Sequence, residues 1–361
     1  MTGKAFGQLP DGKQAHLYCI RYGSLEAAIT DFGAILVSLL VPDKDGHLDD
    51  VVLGFDNAAN YAASSAFLGA TVGRNANRIA GSTFTLNGKT YTLEQNNNGN
   101  NLHSGSASYT FRMWNVVEHT EASIRLALES PDGDQGFPGN AHIQVTYTLE
   151  APGALRITYE GICDADTIFN MTNHSYFNLA GHAHPEQAMA QTLSVAADVF
   201  VQVDENAIPT GQLQQVDASP MDLRKTKVIG SDVDADFSQI TLMAGYDHCY
   251  AVSGSPCAVL SDPLSGRTMQ VVTDCPGVQV YTANELGIVG KAGILYPDRS
   301  AVCLETQYYP DAVHHSQWPQ PIVKAGEKYF SETRYRKHGW ERNTGRCSDR
   351  AYRHTGRQQR K

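Results

Sequence analysis

The sequence predicts an all-β fold, and three observations predict it. Apolar and polar residues alternate with period two along the whole length, turn formers are abundant at 32 Gly and 15 Pro in 361 residues, and sustained helical periodicity with caps is scarce. Hydrophobic residues make up 42% of the chain and charged residues 18%, a globular balance that supplies a sizeable core. Many short strands separated by turn signals imply a sandwich or a barrel.

The elements follow in order. Alternation opens at residues 16–22, and a short helix is expected over 57–65. Between 83 and 93, Asn87-Gly88 separates two alternating runs, the strongest short-range signal for a two-residue hairpin turn. Strand-like runs recur at 123–128, 142–149 and 155–159. A second short helix is expected over 231–240, a second hairpin around 262–266, and a further strand at 269–273. With no internal repeat and no linker, residues 1–336 are expected to form one catalytic domain. Past Tyr335 the chain turns polar and basic, with Arg342, Arg346, Arg350, Arg353, Arg357 and Arg360 against Glu341 and Asp349. Residues 337–361 are therefore expected to be a disordered, solvated tail.

The formal net charge of -10 argues against nucleic acid and against an anionic substrate, both of which it repels at long range, and favours a neutral ligand. Seven scattered cysteines form no C-x-x-C pair and suggest reduced thiols rather than disulfides or a zinc ribbon. No apolar stretch reaches the length of a signal peptide core or a membrane span, so a cytoplasmic location without membrane contact is expected. Two glycosylation sequons, at Asn170 and Asn173, fall inside the segment that carries a candidate catalytic histidine.

Several motifs could carry chemistry. Residues 73–79 hold two arginines and two asparagines within seven positions, and one arginine there is equally readable as a ligand clamp or as an arginine paired with a carboxylate to hold a loop. His103 and His174 stand among polar and aromatic residues in strand-like sequence, a setting suited to a sugar, which needs aligned polar groups and an aromatic wall. Tyr176, Phe177 and Tyr281 are candidates for that wall. The remaining histidines read as ordinary core or surface residues. Asp247 and Glu305 each present a carboxylate. Glu305 directly follows the apolar run 301–304, where burial raises a carboxyl pKa toward neutrality, and a catalytic base and a structural ion pair are equally open readings. No H-E-x-x-H, P-loop or G-x-G-x-x-G pattern occurs, so neither metal nor nucleotide cofactor is expected.

Taken together, residues 73–79, 101–103, 132–140, 170–179, 245–248 and 304–307 resemble, in order and spacing, the aldose 1-epimerases, also called galactose mutarotases. The resemblance runs from about Ala5 to Tyr335. It implies a galactose-mutarotase-like β-sandwich (supersandwich) of large twisted antiparallel sheets, acting on free D-galactose and D-glucose without a cofactor, as a monomer or weak homodimer. It further implies that Glu305 takes the C1-hydroxyl proton, that His174 protonates the ring oxygen, and that Arg74, His103 and Asp247 hold the sugar. Alternatives are an epimerase of hexose 6-phosphates, a non-catalytic sugar-binding protein and a glycoside hydrolase. The chain departs from the family after His103, where Ser104-Gly105 replaces Gly-Gly and Ser108-Tyr109-Thr110-Phe111 replaces Gly-Phe-Asp-Lys.

Overall fold

The computed structural model describes residues 3–337, so the basic tail expected beyond Tyr335 lies, apart from its first residue, outside the described residues. The fold is all-β. A nine-stranded and a six-stranded antiparallel sheet face each other across the main apolar core, and a five-stranded sheet built from residues 4–50 adds a second apolar cluster beside them.

Alternation drives the packing. In Ala141–Glu150 every odd-numbered residue is buried and every even-numbered one is half-buried, so Ile143, Val145, Tyr147 and Leu149 enter the core. The run expected at 16–22 is the strand Gln14–Tyr22, those at 123–128 and 155–159 lie within Ser123–Ser130 and Ala154–Cys163, and that at 269–273 lies within Thr268–Thr273. Asn87 and Gly88 both take positive φ, 53° and 76°, and join Thr83–Leu86 to Lys89–Thr92 as the hairpin requires.

One helix is where it is expected, Ala58–Ala63, capped by the Asn57 side chain. The other begins later than 231, at Ser238, and ends at Met243. Before it the backbone makes separate short turns, Asp232 N–H donating to the Ile229 carbonyl and Ala235 N–H to the Asp232 carbonyl, while Asp232 pairs with Lys227 and Asp234 with Arg299, each at 2.7 Å.

The six-stranded sheet positions the chemistry. Its order is Tyr176–Phe177, Val302–Gln307, Gly277–Tyr281, Asp247–Ala251, Val199–Val203 and Pro209–Gln215. Register places Tyr281 opposite both Asp247 and Cys303, and Gln279 opposite both Cys249 and Glu305. Period two then sends Tyr250, Val278, Val280, Val302 and Leu304 into the core and leaves Asp247, Gln279, Tyr281, Cys303 and Glu305 on the other face.

Candidate active site

That face forms the floor of an open cleft of about 860 Å³, walled by Phe67, Asn77, Arg78, His103, His174, Tyr176, Asp247 and Tyr281. Three separate routes of the chain deliver the polar groups. The strand Thr172–His174 pairs with Ala70–Val72, then continues through Ser175 into Tyr176, which lies opposite Cys303. This brings His174 Nε2 to 3.6 Å from Glu305 Oε1, with both side chains more than nine-tenths buried. The second route pairs Arg78 with Leu102 and so places Arg78 and His103 at the rim. Asp247 arrives on the third, at the edge of the floor.

His103 is fixed as a donor. The backbone N–H of Asn77 donates to its Nδ1 at 3.1 Å, so the ring proton of the neutral imidazole sits on Nε2. Asn77 and His103 both hold left-handed backbone, at φ 60° and 51°, and the pair is closed by His103 N–H donating to the Asn77 carbonyl. Donor atoms of His103, His174 and Glu305 lie within 4.8 Å of one another, a spacing a metal ion could span. The Asn77 contact occupies one ring nitrogen of His103 and leaves the other protonated in the neutral ring, which disfavours His103 as a metal ligand.

The electrostatics follow from burial. Desolvation pushes Glu305 well above the ordinary carboxylate range, the Asp247 charge pushes it further, and Arg78 opposes both. Glu305 Oε2 has no hydrogen-bond partner among the described residues. Asp247 is raised by burial, against Arg78 and the Gln279 amide, which donates to its Oδ1 at 2.6 Å. Desolvation lowers His174 to about 4 and drives His103 well below 6.5, with His174 and Arg78 adding to the latter shift. Burial thus disfavours the charged form of the two imidazoles and of the Glu305 carboxyl alike.

Of the residues read from sequence, His103, His174, Asp247 and Glu305 come together in this cleft and Arg74 does not. Arg74 is a correction. Its side chain is fully buried, donating to Tyr109 Oη, Pro138 O, Thr167 Oγ1 and Ser130 Oγ at 2.7–3.2 Å, with the Phe137 and Phe169 rings within 6 Å. It anchors a loop to the sheet, while Arg78, four residues on, is the arginine that lines the cleft. Phe177 is corrected too, since it turns into the core against Tyr335. Its place in the aromatic wall is taken by Phe67, whose ring packs on His103, His174 and Phe111 at 4.8–6.1 Å.

The departures after His103 are absorbed locally. Ser104, at φ 67°, accepts from Asn75 N–H at 2.8 Å and donates to the Asn75 carbonyl at 3.0 Å, bonds a glycine could not make with a side chain. Gln135 ties the following loop down by donating to the Ala107 carbonyl while accepting from Arg74 N–H. Arg112 forms a two-pronged pair with Asp134.

Comparison with known proteins places this arrangement. The aldose 1-epimerase family profile matches residues 16–336. The chain belongs to the aldose 1-epimerase family. It is 38% identical to the galactose mutarotase of Bos taurus over 340 residues, covering 92% of this chain and 97% of that protein. It is 36% identical to the aldose 1-epimerase of Escherichia coli strain K12 over 335 residues, covering 90% and 96%. Among solved structures, the aldose epimerase homologue from C. elegans superposes with a TM-score of 0.83 at 32% identity, over 90% of this chain and 98% of that one. The galactose 1-epimerase from Lactobacillus acidophilus NCFM superposes at 0.80 with 27% identity, over 93% and 99%. The protein is an isomerase of this family, interconverting aldose anomers. Among the described residues no helix is long and apolar enough to cross a membrane.

Proposed function

We propose that this epimerase acts on free D-galactose and D-glucose, with Glu305 exchanging the C1-hydroxyl proton and His174 the ring-oxygen proton, while His103, Asp247 and Arg78 hold the ring. The observation that carries the reading is the desolvated His174–Glu305 pair at 3.6 Å, open on one side to the cleft.

The proton inventory fits the reaction. We take the reactive pair to share one dissociable proton between Glu305 and His174. Transfer of that proton to His174 Nε2 gives a carboxylate base and an imidazolium acid without any exchange with solvent. The base then takes the C1-hydroxyl proton, the C1–ring oxygen bond breaks as the C1 carbonyl forms, and His174 protonates the ring oxygen. Glu305 is then protonated and His174 neutral. Rotation about C1–C2 and the reverse sequence close the other anomer, so no proton is gained or lost over a turnover.

The charges around the cleft favour an uncharged sugar. Glu205, Asp247, Glu285 and Glu305 line it, against Arg78 as the one lysine or arginine among its described lining residues, which disfavours a hexose 6-phosphate. We further read residues 1–336 as one catalytic unit, acting as a monomer or weak homodimer, since the cleft is complete within one chain. A cytoplasmic place is supported by six unpaired thiols among the described residues.

Polarimetry of freshly dissolved α-D-galactose and α-D-glucose tests the assignment, comparing wild type, Glu305→Gln and buffer. Acceleration by wild type that falls roughly 10²- to 10⁴-fold in the variant is expected. An unimpaired Glu305→Gln enzyme would overturn the role of Glu305.

A further inference from the structure

We propose that Cys303 is a positioning residue: its sulfur accepts the Nδ1–H of His174 and thereby leaves Nε2 bare toward Glu305. The inference rests on the reading of His174 and Glu305 as the proton-carrying pair, and it explains how that pair is kept ready.

Cys303 Sγ lies 3.6 Å from His174 Nδ1, and the cysteine is fully buried. It stands two residues before Glu305 on the same strand, so alternation aims both side chains at the same face. One strand therefore supplies a contact to each ring nitrogen of His174: sulfur at Nδ1 and carboxyl at Nε2. The Tyr176 ring stacks on the imidazole at 5.0 Å and Phe67 lies nearly parallel at 6.1 Å, so the ring plane is held while the edge contacts choose the tautomer.

The choice of sulfur matters chemically. A carboxylate at Nδ1 makes an imidazole more basic and draws a proton onto Nε2. A neutral thiol orients the ring without adding the charge that would draw the shared proton toward His174. Burial pushes the thiol well above its ordinary range and keeps it protonated, which excludes a thiolate in the carboxylate's role. The other ionisable or charged groups facing the ring are His103, Tyr176, Tyr281, Asp247 and Arg78.

Nitrogen-15 NMR of histidine-labelled protein without sugar, with the His174 signal assigned through His174→Gln, reads the tautomer directly. Wild type is expected to show a protonated Nδ1 and a bare Nε2. Cys303→Ala is expected to populate the other tautomer and to lose roughly three- to tenfold in kcat at unchanged KM, the scale of one modest hydrogen bond. Cys303→Ser, which keeps an acceptor, is expected to stay near wild type in both readouts. A wild-type His174 protonated on Nε2, or a Cys303→Ala enzyme with unchanged nitrogen shifts and kcat, overturns the proposal. If the alanine variant does not fold, the wild-type and serine spectra still decide. Wild type that fails to accelerate anomer exchange would defeat the functional reading and leave the tautomer measurement standing.

Discussion

The surroundings of Arg74 and of Glu305 both bury an ionisable side chain, and they treat its polar atoms in opposite ways. Every nitrogen of the Arg74 guanidinium has an acceptor within 3.2 Å, drawn from hydroxyls and carbonyls on four separate segments. Glu305 buries a carboxyl whose Oε2 meets no donor among the described residues. Lys291 behaves like Arg74, with its ammonium on the Asp50 carboxylate and on the Val37 and Val52 carbonyls at 2.6–2.8 Å. A buried charge that is fully partnered holds the fold together, whereas one left short of partners is available to a substrate.

The comparison is sharpest between the two arginines of residues 73–79. Arg74→Met should destabilise the protein by about 3–5 kcal/mol, because several buried acceptors lose their donor at once. That is a large share of a typical folding free energy of about 5–15 kcal/mol. Urea denaturation measures it, and activity per folded molecule should hold. A raised KM with unaltered stability would break the distinction and return Arg74 to the sugar.

Arg78→Met should do the reverse. Its guanidinium faces the cleft and bonds Asn97 at the rim, so stability should change by less than about 1 kcal/mol while KM rises roughly tenfold, the scale of a lost hydrogen bond from a charged group. It should also move the pH profile. Under the proposed roles activity requires one proton on the pair, so it should fall as pH drops through the His174 value of about 4 and fall again as pH rises through the elevated Glu305 value. Removing the cation lets Glu305 hold its proton more tightly, so the alkaline limb should shift to higher pH. A shift to lower pH would show that Glu305 does not set that limb.

Much of the fold and most of the site were legible in the sequence, for physical reasons that also mark the failures. Glu305 stands out because a carboxylate after four apolar residues has to be buried, and period two then fixes which face it takes. The same rule could have rejected Phe177: adjacent residues on a strand point to opposite faces, so Tyr176 and Phe177 cannot both wall the cleft. Arg74 and Arg78 could not be separated, because Asn77 turns the chain through left-handed backbone between them and no local pattern announces that turn. Phe67 lies in a loop at φ 55°, where alternation carries no information. The helix expected over 231–240 begins only at Ser238, because residues 229–235 are taken up by separate short turns that the residue pattern does not distinguish from a helix start.

The smallest effect belongs to the other side of the same strand as Asp247. His248 points into the core, fully buried, with the Phe200 ring edge-on at 5.6 Å and Nε2 unpartnered among the described residues. Burial lowers it to about 3. Below the unfolded value of about 6.5 the unfolded chain binds a proton that native His248 refuses, so this residue withdraws stability as pH falls from about 6.5 toward 3, at up to about 1.4 kcal/mol per pH unit. His248→Phe removes that term. Urea unfolding at pH 7.5 and 5 should therefore show the variant gaining on wild type at the lower pH, by roughly 1–2 kcal/mol. A difference independent of pH would mean that His248 titrates normally in the folded protein, and that burial with an unpartnered ring nitrogen is no guide to which groups of this sheet are electrostatically strained.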